Sequence, residues 1–242
     1  MSLAPRTTMK PAIVVRNLQL LLSNRYFSVL SLSTTPRSLR KAVILTIRAL
    51  FDMSPATCCQ PAHIEPLMAL YRGTPDHSDR TILSIFHLFE RHRRISVASL
   101  LTSWSPDGLP SMSSNRRPLD IVVALDPAKV LRTCTSFPMK RSFNPQDLEL
   151  DVPEGLDLET LYDPVYLLAA YAAVLVDGEL GLGNELSGLD WGEVIRSNVL
   201  GLVVCALSSR KADIREMASF LIAKTYAYIQ VSFASPISFY LL

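Results

Sequence analysis

Apolar residues recur along this chain at steps of three and four, the spacing of one helical face, and rarely alternate as they would in a strand. The pattern predicts helices over 12–30, 34–53, 62–74, 78–94, 96–104, 126–138, 162–178, 192–208 and 212–230. Punctuation supports the starts. Pro11 falls in a first turn, Thr35 is placed to cap and Pro36 to follow it, Ser78 is placed to cap the next long helix, and Asp163 precedes Pro164. Gly73 marks an end. In 34–53 the apolar face is Leu39, Val43, Ile47 and Leu50, with Arg37, Arg40, Lys41 and Arg48 mostly off it. In 78–94 it is Ile82, Ile85, Phe86 and Phe89, and in 212–230 a stripe runs from Ile214 through Met217, Ala218, Leu221, Ile222 and Thr225 to Ile229. Residues 119–126 fit a strand or a helix, 105–118 and 181–192 read as loops, and 139–159 reads as an exposed acidic connector.

Short helices joined by turns imply an all-α fold, specifically a HEAT/armadillo-like helical-repeat solenoid in which each pair hides its stripe against the next. The expected organisation is a basic helical-repeat segment over 1–138, the acidic connector over 139–160, a second helical-repeat segment over 161–230 and an atypical apolar tail over 231–242. Hydrophobic residues at 49% and charged residues at 19% exclude a wholly disordered chain, and only 9 glycines favour helix. The apolar run 165–176 is shorter than the roughly 18–20 residues that span a bilayer, so it is expected to be a buried core helix. No membrane partner is expected.

Charge changes the picture more. The net value of +2 conceals a balance of +11 over 1–141 and −12 over 142–195. The basic part offers itself to a polyanion, while the acidic part repels one; the simpler alternative is that the two complement each other. Arg91, Arg93 and Arg94, in the last turn of a helix whose dipole favours cations there, are candidates for RNA phosphate contact, together with Arg116 and Arg117 in a loop. The acidic run 147–163 lacks metal-ligand spacing and is a connector or a partner-binding strip.

Candidate chemistry is sparse. Cys58, Cys59, Cys134 and Cys205 fit no zinc pattern and read as reduced thiols; His87 and His92, five apart, face different ways on a helix. Ser208, Ser209 and Lys211 break two helices without a base nearby, and read as a corner rather than a nucleophile site. With no Gly-rich phosphate loop and no His-Glu zinc helix, the expectation is a protein that is not an enzyme, with no cofactor, no metal and no small-molecule substrate. The first 51 residues hold eight basic and no acidic side chains, as in a mitochondrial transit peptide, but these lie beside apolar helical runs.

Residues 67–101, 161–175 and 201–218 together resemble the C-terminal region of the nucleolar pre-ribosomal-associated protein 1 family. The resemblance is carried by Leu70, Tyr71, Gly73, Thr74 and Asp79, then Leu88-Phe89-Glu90, then Tyr162-Asp163-Pro164, then Leu207-Ser208-Ser209 with Arg215, in that order, with 125–138 fitting between. It implies a very large helical-repeat scaffold of the nucleus and nucleolus. Such a scaffold acts in rRNA processing and early pre-60S assembly of the large ribosomal subunit, partnered by assembly factors and pre-ribosomal RNA. The named residues would then be fold signatures, with Asp213 capping a helix and Arg215 tying repeats through a carboxylate. The resemblance further implies a piece of a longer chain. Residues 231–242, "VSFASPISFYLL", lose the charged helical pattern, and non-coding read-through after Gln230 is expected against a natural helix that docks back. The competing expectations are an interaction solenoid unrelated to ribosomes and a mitochondrially imported helical protein.

Overall fold

The computed structural model describes residues 9–24, 27, 30, 36–104, 106, 117–144, 147, 150–179 and 186–234, and every regular element among them is helical. In order these are α1 (Pro11–Leu22), α2 (Arg37–Met53), α3 (Pro55–Cys58), α4 (Ile64–Leu70), α5 (His77–Arg93) and α6 (Val97–Ser103). Then follow α7 (Pro118–Val123), α8 (Pro127–Thr135), α9 (Pro164–Glu179), α10 (Gly188–Arg196), α11 (Val199–Ala206) and α12 (Ala212–Ala234). Helix α12 therefore runs past Gln230, and 235–242 lie outside the described residues, as does Thr35.

Several boundaries move for identifiable reasons. Residues 119–123 are helical because Pro118 opens the turn and Asp120 accepts from the Arg117 amide at 3.1 Å. The expected single helix over 192–208 is two, split where Asn198 adopts φ 62, and α10 begins inside the expected loop because Ser187 and Asp190 form a reciprocal capping box. The cap of α5 is Asp76, whose carboxylate accepts from the Ser78 amide at 2.9 Å, so Ser78 lies inside the helix. Helix α4 ends at Leu70, ahead of Gly73.

The buried face of α2 is rotated from the expected one. Arg40, Ile44, Ile47 and Phe51 point inward, while Leu39 is 51% exposed. The apolar face of α5 stands as read: Ile82, Ile85, Phe86 and Phe89 are fully buried.

The described residues share one continuous apolar core running from Val14 to Leu221. Helix α2 packs on α5, α8 on α11, and α11 on α12. Helix α9 is the hub: it meets α6 and α7 on one side and α11 and α12 on the other. The stretch 158–176 is long and apolar enough for a membrane span by composition, but 67% of it is buried within the protein, with Tyr166, Leu167, Leu168, Ala170 and Tyr171 fully enclosed. Burial of each large side chain there contributes about 1.5–3 kcal/mol, enough to make α9 the centre of the fold.

Candidate nucleic-acid interface

The turn between α4 and α5 begins an ionic chain that organises everything around it. Gly73 sits at φ 67, and a Cβ there would lie 2.7 Å from the Trp104 ring, so both backbone and space require glycine. The turn aims the Thr74 amide (2.8 Å) and hydroxyl (2.7 Å) and the Arg72 amide (3.2 Å) at the Asp79 carboxylate. Arg40 from α2 donates to the same carboxylate and also to the Leu70 carbonyl at 2.8 Å. Both partners are buried. Burial raises the Asp79 carboxyl above its ordinary range, opposed by the Arg40 charge and the Thr74 donors.

A second pair lies one step away. The Asp163 amide donates to the Gly73 carbonyl at 2.6 Å, and the Asp163 side chain caps α9, with Pro164 in its first turn, by accepting from the Val165 amide at 3.0 Å. Arg141 grips the same carboxylate through two donors, at 3.0 and 2.7 Å, the planar fork geometry for which arginine is suited. Tyr71, Trp104 and Tyr166 fill the space alongside, edge to face, with centroids 5.4 and 4.9 Å apart along the series. Tyr162 is held by its amide on Thr133 Oγ1 at 2.9 Å and by the Asp126 amide donating to its hydroxyl at 3.2 Å.

The third link reaches α12. Asp213 accepts from the Ser142 hydroxyl and the Phe143 amide, both at 2.9 Å, and from the Ile214 amide at 2.9 Å. Ser209 Oγ and the Arg210 amide both donate to the Met139 carbonyl, at 3.1 and 2.8 Å. Ser208 Oγ donates to the Cys205 carbonyl at 2.6 Å. Arg215 donates to the Ser209 carbonyl at 2.8 Å, closing its own corner. Of the residues read as signatures, Asp163, Ser208, Ser209 and Asp213 converge on the segment 139–143, which is buried at Arg141 and Ser142 rather than exposed.

Part of the charge asymmetry is satisfied within the molecule. Asp157 pairs with Arg37 at 2.6 Å, and Glu159 lies 3.4 Å from Arg37 and 3.5 Å from Arg72, all toward the N-terminal helices. Asp151 pairs with Arg210 at 3.3 Å and Asp147 with Lys211, toward the C-terminal ones. The acidic run is a strap between two basic sides.

Against that background the far end of α5 stands out. Arg91, His92, Arg93 and Arg94 are all exposed on its last turn. Arg91 and Arg94 have no ion-pair partner among the described residues, and Arg94 takes a left-handed φ of 59 as the helix C-cap. Arg93 is anchored, its Nε donating to the Cys59 carbonyl at 2.7 Å. Arg117 instead heads α7 and pairs with Asp120 at 3.2 Å, and Arg116 lies outside the described residues. The structure therefore gathers three of the five candidate arginines and leaves Arg117 in a local pair.

Sequence reasoning missed Arg40, Arg141 and Trp104. Arg40 had a legible signal, since Arg40, Ile44, Ile47 and Phe51 share helical spacing as well as the chosen set does. Arg141 had none, because its partner is 22 residues away along a segment with no periodic pattern.

No family model matches the chain, and no solved structure matches it. Two curated proteins are similar to it. Nucleolar pre-ribosomal-associated protein 1 of Mus musculus is 26% identical over 212 residues, 81% of this chain and 9% of that protein. Nucleolar pre-ribosomal-associated protein 1 of Homo sapiens is 25% identical over 205 residues, 79% of this chain and 9% of that protein. The chain thus spans about a tenth of the length of these relatives.

Proposed function

We propose that this chain serves, without catalysis, as a helical-repeat scaffold segment in nucleolar assembly of the large ribosomal subunit, contributing to early pre-60S particles and rRNA processing. The observation that carries the reading is the likeness to two proteins named nucleolar and pre-ribosomal-associated, extending over about four-fifths of the chain. Within it, the C-terminal turn of α5 is the surface offered to pre-ribosomal RNA. Arg91 and Arg94 neutralise phosphates, Arg93 holds that turn to the end of α3, and no base is read. The internal strap supports this division of labour. Arg37, Arg72, Arg141, Arg210 and Lys211 already have partners on the acidic segment or beside it, whereas Arg91 and Arg94 have none among the described residues. Assembly factors are the expected protein partners, and the corner Ser208–Lys211 joins helices rather than reacting.

The test is co-sedimentation of the tagged chain with ribosomal precursors, alongside fluorescence microscopy. Migration with pre-60S particles and nucleolar signal are expected. A chain that stays at the top of the gradient and collects in mitochondria would overturn the reading.

A further inference from the structure

On α11, positions 201 and 205 share one helical face, and Ser208 continues it two residues past the helix end. Near its start that face meets α8, since a Cβ built on Gly201 would lie 3.9 Å from Cys134 Sγ. Beyond its end the same face meets the segment after α8, where Ser208 Oγ lies 3.7 Å from Met139 Sδ. Cys205 stands between these two contacts, one turn past Gly201 on the face of α11 that packs on α8. Both cysteines are free and half-buried, whereas Cys58 and Cys59 are buried. We propose that Cys134 and Cys205 are a reversible dithiol–disulfide pair that, once oxidised, staples α8 to α11.

The order of events follows from their surroundings. Burial, and then the neighbouring Cys205 sulfur, pushes the Cys134 thiol up to about 12. Cys134 therefore keeps its proton near neutral pH and is assigned the resolving role, with Cys205 as the sulfur that meets the oxidant. With hydrogen peroxide as oxidant, the Cys205 sulfur attacks one peroxide oxygen, the O–O bond breaks, and water leaves behind a sulfenic acid. The Cys134 sulfur then attacks the Cys205 sulfur. The S–S bond forms, the S–O bond breaks, and the departing hydroxide takes the Cys134 proton as a second water. Two thiols lose two electrons in total, and one peroxide becomes two waters. A dithiol reductant reverses the change.

The staple closes a loop that contains the acidic strap and α9. It stands whatever the chain binds. The test treats the folded chain with hydrogen peroxide, blocks remaining thiols, digests with trypsin and identifies peptides by mass without reduction. The expected result is a cross-link between peptides 133–140 and 197–210 that disappears on reduction and in either Cys134→Ser or Cys205→Ser. Cys58 and Cys59 are expected to stay reduced and act as internal controls. Amide exchange in α8 and α11 is expected to slow in the oxidised chain. Sulfinic or sulfonic acid on Cys205 without the cross-link, or disulfide-linked dimers in its place, would overturn the proposal.

Discussion

The two ends of α5 use charge in opposite ways. At the N-terminal end Asp76 caps the helix, and Asp79, fully buried, is surrounded by Arg40, Thr74 and the Arg72 amide. At the C-terminal end Arg91 and Arg94 face solvent with no ionic partner among the described residues. One helix thus carries a structural charge cluster and an available one, about four turns apart. Charge count alone cannot tell them apart. What distinguishes them is whether a fixed partner is delivered by another element.

The largest effect should come from breaking the buried end. Asp79→Ala leaves Arg40 enclosed without its carboxylate, a change of about 3–5 kcal/mol by the behaviour of buried pairs. Denaturant unfolding should show a strongly lowered midpoint, while Arg91→Ala leaves it unchanged. Equal effects for the two variants would erase the contrast.

Gly73→Ala is next. It combines a left-handed backbone, costing roughly 1–2 kcal/mol, with a contact 2.7 Å from Trp104. Thermal unfolding should shift down, and tryptophan fluorescence should change because Trp104 has to move. An unchanged emission would place the ring elsewhere.

Arg93→Ala should cost about 1 kcal/mol, as a lost hydrogen bond to a carbonyl in a partly exposed setting. Its anchoring of the α5 turn to Cys59 also makes it the arginine whose loss is expected to lower the denaturation midpoint and, on the proposed function, RNA affinity together.

The smallest effect is the acid response of the cap. Burial works to raise the Asp76 carboxyl, but the Ser78 donors, the His77 amide and the Arg40 charge hold it below its ordinary value of 3.8. A depressed native value means that its stabilising contribution is complete above the unfolded value and is lost as pH falls through the native one. Between about pH 5 and pH 2 the midpoint of Asp76→Asn should fall less steeply than that of the parent. Identical slopes would show that Asp76 is not the group responsible.

Helical content, the α5 core face and the buried nature of 165–176 were legible in the sequence because each rests on local periodicity. The signature residues were legible as a set through resemblance, but their mutual contacts were not. Asp163 meets Gly73 across 90 residues of chain, and Asp213 meets Ser142 across 71. The α2 face was misread because a buried arginine looks polar until its partner is known. The split at Asn198 was missed because a left-handed residue leaves no trace in an apolar pattern that otherwise continues through it. The ion pairs of the acidic segment were not legible because its partners, Arg37, Arg72, Arg210 and Lys211, lie on elements distant in sequence.

The division between enclosed and available charge is tested most directly by titrating a single-stranded RNA against the chain over a series of salt concentrations, for the parent and for Arg91→Ala with Arg94→Ala together. The expected result is a linear fall of log affinity with log salt in the parent and a slope shallower by about 1.4 in the double variant, about 0.7 for each lost phosphate contact on a single strand. Superimposable lines, or affinity in the parent that does not respond to salt, would contradict it.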